Sequence, residues 1–314
     1  FGSVLEKISC DTPAAEENES WDLVDGQEYK QDIFYKPTVS AKFFNSKVTF
    51  EVPMSFTEKQ VKESFSNAAQ LNGFISMIYN AVDRSMTIKI DGLVMRTINS
   101  MIAQTLNADK TAFTGGYGTA STARCVNLLK LYNDKFFPAT GSTANPDALT
   151  ADKAIYDPDF IRFASYTMGV YVDRLASIST LFNVGGKDRF TDANNLHVIM
   201  LSDFAKGADV YLQSDVRHNE MTRLPNYETV PYWQGSGQNY EFDSTSAINV
   251  KIDASTTVEI DGIVGVMFDR DALGVSNLDR RVTTAYNAKA EFFNNYYKFD
   301  AGYFNDTNVY FVGF

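Results

Sequence analysis

Counting by fours from Phe74 meets Ile78, Val82, Met86, Ile90, Val94, Ile98, Ile102 and Leu106, and every one of these positions is apolar. A strand repeats at two residues, so a fourfold step held this long is the stripe of a helix. The pattern predicts a helix over residues 71–106, about 50 Å long at ~1.5 Å per residue. Asn80, Asp83, Arg84, Lys89, Asp91, Arg96 and Asn99 fill the gaps, which excludes a membrane span. Gly92 is its weak point, because Gly inside a helix costs ~1 kcal/mol relative to Ala. The regular helix is therefore expected to stop or bend near 90–92, with 93–106 as a second segment.

The rest of the chain alternates between short patterns. Residues 1–24 are polar and acidic without a period, with Trp21, Leu23 and Val24 as one anchor. Residues 25–54 read as an extended hairpin: Asp25-Gly26 is a turn signal. Val48, Phe50 and Val52 alternate with Lys47, Thr49 and Glu51, as in a half-buried strand. Pro37 demotes the outgoing portion to an edge or loop tip. Such a hairpin is marginally stable alone and needs a partner surface. Thr57 followed by Gln60 has the capping-box form and starts a short helix.

Further on, residues 107–157 are irregular, with a short helix over 126–137. Asp157-Pro158 starts a helix, which apolar positions carry to about Asn183 before Gly185-Gly186 ends it. Residues 196–201 form a short buried strand, and Ser202-Asp203 caps a helix over 204–212; together they indicate an α/β subdomain. Residues 213–245 are loop-like, with Pro225, Pro231 and Trp233, and an exposed tip there is a contact candidate. The end is β-rich: 248–252, 258–260, 263–268, 281–286, 291–304 and 308–314.

Composition narrows the classes. The chain has 314 residues, 44% of them hydrophobic and 21% charged, which suits a globular protein with a real core. The sequence starts on Phe1 rather than Met, which leaves room for a preceding piece, and no signal-like apolar segment follows. No run of 18 apolar residues occurs. The formal net charge is −11, and residues 1–30 hold eight acidic residues against Lys7 and Lys30. That balance makes a poor nucleic-acid binder, because affinity for phosphates comes from Lys and Arg. Cys10, Cys125, His197 and His218 form no metal-ligand cluster and no disulfide framework. The 24 Phe and 17 Tyr suit wide packed surfaces between layers or between subunits.

Candidate chemistry is thin. Asp269 and Asp271 are paired carboxylates of the kind used on glycosidic bonds, but with Arg270 between them a turn accounts for them better. Glu16, Glu17 and Glu19 lack the spaced loop of a calcium site. Gly115-Gly116-Tyr117-Gly118 lacks the Lys-Ser/Thr of a phosphate loop and follows no strand. Gly235-Ser236-Gly237 is not a nucleophile elbow. His197, inside an apolar strand, reads as a core histidine. No catalytic constellation, cofactor site or metal site is found.

The order of parts resembles the tailed-phage major capsid protein family, with its HK97-type fold, and is most similar to the phi29-type short-tailed phages. The likeness rests on Val48-Thr-Phe-Glu-Val-Pro-Met-Ser-Phe56 entering Phe74-Ile-Ser-Met-Ile-Tyr-Asn-Ala81. It recurs in Leu196-His-Val-Ile-Met-Leu201, in Ile263-Val-Gly-Val-Met-Phe-Asp-Arg-Asp-Ala-Leu273 and in Asn294-Asn-Tyr-Tyr-Lys298. The resemblance implies an α+β fold with an N-arm (1–24), an E-loop hairpin (25–54), a P-domain with a long spine helix (55–125), an A-domain (126–245) and a mixed β-rich return (246–314).

It further implies a shell subunit, not an enzyme, that assembles into hexamers and pentamers of an icosahedral phage head. Such a subunit works with scaffolding and portal proteins and encloses double-stranded DNA without sequence-specific binding. It contacts no membrane and needs no cofactor. Phe43, Phe44, Val48, Phe50, Trp21 and Trp233 are the expected contacts between subunits. The alternatives are an encapsulin-type nanocompartment, which shares the fold, and a hydrolase or carbohydrate-binding protein built on Asp269 and Asp271.

Overall fold

The computed structural model describes residues 5–13, 15, 18, 20, 23–29, 32–64, 67–140, 145–213, 227–233 and 248–314. The chain divides into two compact units, Phe1–Asn45 and Ser46–Phe314.

In the first unit, β1 (Leu5–Cys10) pairs antiparallel with β2 (Val39–Phe44), Leu5 opposite Phe44 and Cys10 opposite Val39. The ladder continues one bond further, Asp11 N–H to Thr38 O at 2.9 Å. Between the strands, Gly26 takes the left-handed φ of +85° at the turn after Asp25, a conformation that glycine adopts without a Cβ clash.

The second unit begins with β3 (Lys47–Thr57), α1 (Glu58–Ser64) and α2 (Ala68–Ala108). After α2 come α3 (Leu128–Phe136), α4 (Ala151–Ala154), α5 (Pro158–Ala176), β4 (Leu196–Leu201), α6 (Ser202–Gln213) and β5 (Tyr227–Val230). The end is β6 (Ile248–Lys251), β7 (Thr257–Ile260), β8 (Gly265–Asp269), β9 (Leu273–Asn287), β10 (Phe292–Asn305) and β11 (Phe311–Gly313).

Among the described residues the strands within 25–54 do not pair with each other: β2 pairs with β1. The alternating strand around Val48–Val52 pairs with β10 instead, from Lys47 opposite Gly302 to Thr57 opposite Phe292, and β9 lies on the other side of β10. The reason is burial. Phe50, Val52 and Met54 need a cover, and β3 finds it by joining a sheet that packs on α2 around Val82, Met86, Leu93, Tyr297 and Phe299. Phe50 stacks on Phe299, with ring centroids 6.4 Å apart.

The long helix is 41 residues, about 60 Å at ~1.5 Å per residue. It does not break at Gly92. Asn67 caps its start by accepting from Gln70 N–H at 2.9 Å. At about 100° per residue, four residues overshoot a turn by ~40°, so the apolar stripe winds nearly once around the helix between Phe74 and Leu106. Its first half faces the β3-β10-β9 sheet. Its second half, with Ile98, Met101, Ile102 and Leu106 buried, enters a different cluster. There Thr97 and Thr105 are also buried, and their hydroxyls donate back to Leu93 O (2.7 Å) and Met101 O (2.9 Å). Packing on successive sides outweighs the intrinsic cost of one glycine.

The second layer system is α/β. A sheet in the order β11-β8-β4-β5 has one parallel pair, β4 with β5. The period of two in β4 divides its side chains: Leu196, Val198 and Met200 join a core with Phe160, Met168 and Leu175 of α5 and Phe204 of α6. Ile199 and Leu201 face the cluster that holds the second half of α2 and the β6-β7 hairpin. The sheet is thus covered by helices on both faces, which is why β4 reads as an unbroken apolar run.

Helix α5 ends at Ala176, earlier than the apolar pattern suggested, and Ser177 is already extended. Thr191 N–H takes the Leu175 carbonyl at 2.8 Å, so Ile178 and Leu181 belong to a loop. Arg124 fastens the end of α2 to two loops: it pairs with buried Asp109 and donates to Asn183 O at 2.7 Å.

Candidate assembly surfaces

In an antiparallel ladder, residues directly opposite share a face. In β1-β2 that places Glu6, Ile8 and Cys10 beside Phe43, Ala41 and Val39, and all six are exposed. Ile8 is 67%, Val39 59% and Phe43 58% exposed. Five of these six are apolar, so the ladder presents an apolar face to solvent. The other face is the more polar one: Ser9 and Ser40 bond through their hydroxyls at 2.9 Å, and Lys42 lies over the ring of Phe44 at 5.2 Å. Phe34 and Tyr35, which the sequence reading did not single out, are 87% and 75% exposed. The Ile33-Phe34-Tyr35 triplet beside Asp32 was the available signal.

The remaining expected contacts are scattered. Phe44 is half-buried on the face opposite Phe43. Val48 and Phe50 are half-buried on β3, with Phe50 turned toward the sheet's own core. Trp233 is a correction: it is wholly buried, and its indole N–H donates to Ile263 O at 2.8 Å. A large amphipathic ring with its N–H satisfied inside the fold is a core residue, not a contact. Trp21, Glu16, Glu17, Glu19, His218, Pro225 and Gly235-Ser236-Gly237 lie outside the described residues.

The chemistry candidates are occupied by structural work. Asp269 accepts from the Thr191 hydroxyl (2.6 Å) and from Asp271 N–H (2.8 Å), which is a turn. His197 is half-buried and stacks on Phe268, with centroids 5.8 Å apart. Gly115–Gly118 runs through turns, with Gly116 at φ +110°. Cys125 is buried, and burial first, then the Asp109 charge, pushes its thiol up to about 12, so it is no nucleophile at neutral pH. A cavity of about 570 Å³ beside it is lined mainly by apolar groups such as Ile102, Leu106 and Phe113. Among the described residues no group of three or more His, Cys, Asp or Glu could hold a metal ion, and no described helix is long and apolar enough to cross a membrane.

The exposed apolar face of the ladder is the feature that a comparison with known proteins can place. The sequence matches the profile of the Phi29-like phage major capsid protein over residues 1–314. The chain belongs to that family. Solved structures similar to this capsid protein include the capsid of Staphylococcus phage Andhra (TM-score 0.54, 8% identity, covering 100% of this chain and 80% of that one). Another is a chain in the head fiber and inner core protein structure of native bacteriophage P68 (0.54, 8%, 100% and 81%). A third is the capsid of Cyanophage P-SCSP1u (0.51, 10%, 100% and 83%). At such identities the likeness establishes the fold alone, the HK97-like capsid fold. No curated protein matches the chain. This capsid protein is a structural component of the phage virion and assembles into its multimeric shell.

Proposed function

We propose that the chain is the tile of an icosahedral head, assembling as hexamers and pentamers around double-stranded DNA. The observation that carries this reading is the uncovered apolar face of the β1-β2 ladder. A two-stranded ladder is marginal in water, and covering one large apolar side chain is worth ~1.5–3 kcal/mol. Neighbouring subunits supply the cover for Ile8, Val39 and Phe43.

In the terms of this fold, residues 1–24 are the N-arm, 25–54 the E-loop and 55–125 the P-domain with α2 as its spine. Residues 126–245 are the A-domain and 246–314 return through both. Two features support the division: β9 and β10 join β3 on the first half of α2, while β8 and β11 complete the sheet begun by β4. The pairing of β1 with β2 ties arm to loop. The tile does no catalysis, works with scaffolding and portal proteins, and holds DNA without sequence-specific contacts, as its net charge of −11 suits.

The test is Phe43→Ala with Phe44→Ala in the full chain, co-expressed with the scaffolding protein. The subunit should keep its thermal midpoint while shell yield falls at least ~10-fold, about 1.4 kcal/mol. Shells of unchanged yield and stability would remove the ladder from the interface, and purified particles filled with protein cargo instead of DNA would favour a nanocompartment.

A further inference from the structure

The connection from α5 to β4 is held more tightly than a passive link requires. The hydroxyl of buried Tyr310 accepts from Ser179 N–H (2.9 Å) and is shared among the carbonyls of Ser177 (3.4 Å), Ser179 (2.6 Å) and Arg189. Ser179 and Arg189 exchange backbone bonds at 3.0 and 3.2 Å. The Asn183 side chain bonds both the carbonyl (2.6 Å) and the N–H (2.8 Å) of Lys187. Yet this fixed backbone holds Ile178, Leu181 and Phe190 in water, at 73%, 61% and 55% exposed. Large apolar side chains on a pre-ordered loop lose little entropy when they bind, which is what strong contact points share. Lys187 and Arg189 against Asp188 leave residues 177–190 net positive.

The opposite end of α5, about 28 Å away at ~1.5 Å per residue, has the complementary character. Tyr156 is 73% exposed there. Around it residues 145–160 carry Asp147, Asp152, Asp157 and Asp159 against Lys153 alone. Asp157 caps the helix at Phe160 N–H, and Asp159 pairs with Arg162 of its own helix at 3.3 Å.

We infer that these two ends are the halves of one contact between copies of this chain: the basic, apolar loop 177–190 of one subunit seats on the acidic, Tyr156-bearing end of α5 in the next. Loop against loop would oppose like charges, whereas loop against the acidic end matches them. Because the halves differ, the contact is head-to-tail, and head-to-tail contacts close into rings when the rotation permits. The inference rests on the proposed shell and names the surface by which subunits of one ring touch.

Charge reversal tests it in the full chain with its scaffolding protein. Lys187→Glu with Arg189→Glu, and separately Asp152→Arg with Asp159→Arg, should each lower shell yield at least ~10-fold while the subunit melts as a folded protein. The four changes combined should restore yield to within about threefold. Normal assembly of either reversed pair, or no recovery in the combination, overturns the inference. Should a reversed pair fail to fold, Ile178→Ser, Leu181→Ser and Phe190→Ser together, all at solvent positions, should give the same loss, and unchanged yield overturns it. Heads that assemble normally but lose another virion protein would assign the loop to that protein and overturn it too. If the unmodified chain forms no shells, the shell reading fails and this inference with it.

Discussion

The β1-β2 ladder and the β3-β10-β9 sheet start from the same sequence device and end differently. Both alternate apolar and polar side chains. In the sheet, Phe50, Phe299 and Arg280 form one row and Val52, Tyr297 and Val282 the next. Val82, Met86 and Leu93 of α2 join the same buried cluster, and the outer face is polar. There Asp300 accepts from Thr49 and from Arg281, each at 2.6 Å, and the Arg281 bond chiefly holds its carboxyl below the usual carboxylate range. In the ladder, Ile8, Val39 and Phe43 form an equally apolar face that is exposed among the described residues. Alternation says that one face of a strand is to be buried; it does not say which chain does the burying. In a shell protein that second answer separates stability from assembly.

Two experiments try to break this contrast. Phe299→Ala removes a ring with no exposed surface from the covered sheet. It should cost about 3–5 kcal/mol of subunit stability, read as a lowered denaturant midpoint. The Phe43/Phe44 variant should act on assembly while leaving that midpoint in place. If it lowered the midpoint as far as Phe299→Ala does, the ladder would be part of the subunit's own core and the contrast would fail.

The two cysteines sharpen the contrast, one lying on the ladder and the other in the core that holds the second half of α2. Cys10 is exposed on the apolar face of the ladder, and Cys125 is buried with its thiol pushed up to about 12. A raised thiol value means that the reactive thiolate grows only as pH rises toward it. At pH 8 Cys125 therefore stays in the thiol form, and thiolate is the nucleophile. A thiol-reactive disulfide reagent at pH 8 should modify one thiol per folded subunit and two after unfolding. Assembled shells should protect Cys10 as well. Equal reactivity of Cys10 in free subunits and shells would mean that the ladder face stays open.

How much of this was legible in the sequence follows from how local each signal was. The long helix, the β4-α6 unit and the start of α5 at Asp157-Pro158 rest on contacts within one element, so period and cap residues revealed them. The partner of β3 was not legible: Val52 pairs with Tyr297, far along the chain, and no local pattern encodes that pairing. The end of α5 was misread because Ile178 and Leu181 continue the helical spacing, whereas Thr191 and Tyr310 capture the backbone there. Of the expected contact residues, Phe43 lies on an exposed apolar face. Trp233 failed because an aromatic in a Pro/Gly-rich stretch looks like a loop tip until its N–H is seen bonded to Ile263. Phe34 and Tyr35 were passed over because a run of three apolar residues is too short to show a period.

The smallest expected effect concerns the cover itself. Gly73 lies in the first turns of α2, it is exposed, and a Cβ built there meets nothing within 4 Å. Gly73→Ala should therefore stabilise the subunit by about 0.5–1 kcal/mol, because alanine gives up less backbone freedom in a helix. The gain should appear locally, as slower amide exchange over the stretch of α2 that carries Phe74, Ile78 and Val82. That stretch is the half of the helix exposed on its outer side, so propensity still has work to do there. No gain would mean that the sheet alone fixes this half of α2, and that the stability of the covered face resides in the β3-β10-β9 rows and not in the helix laid over them.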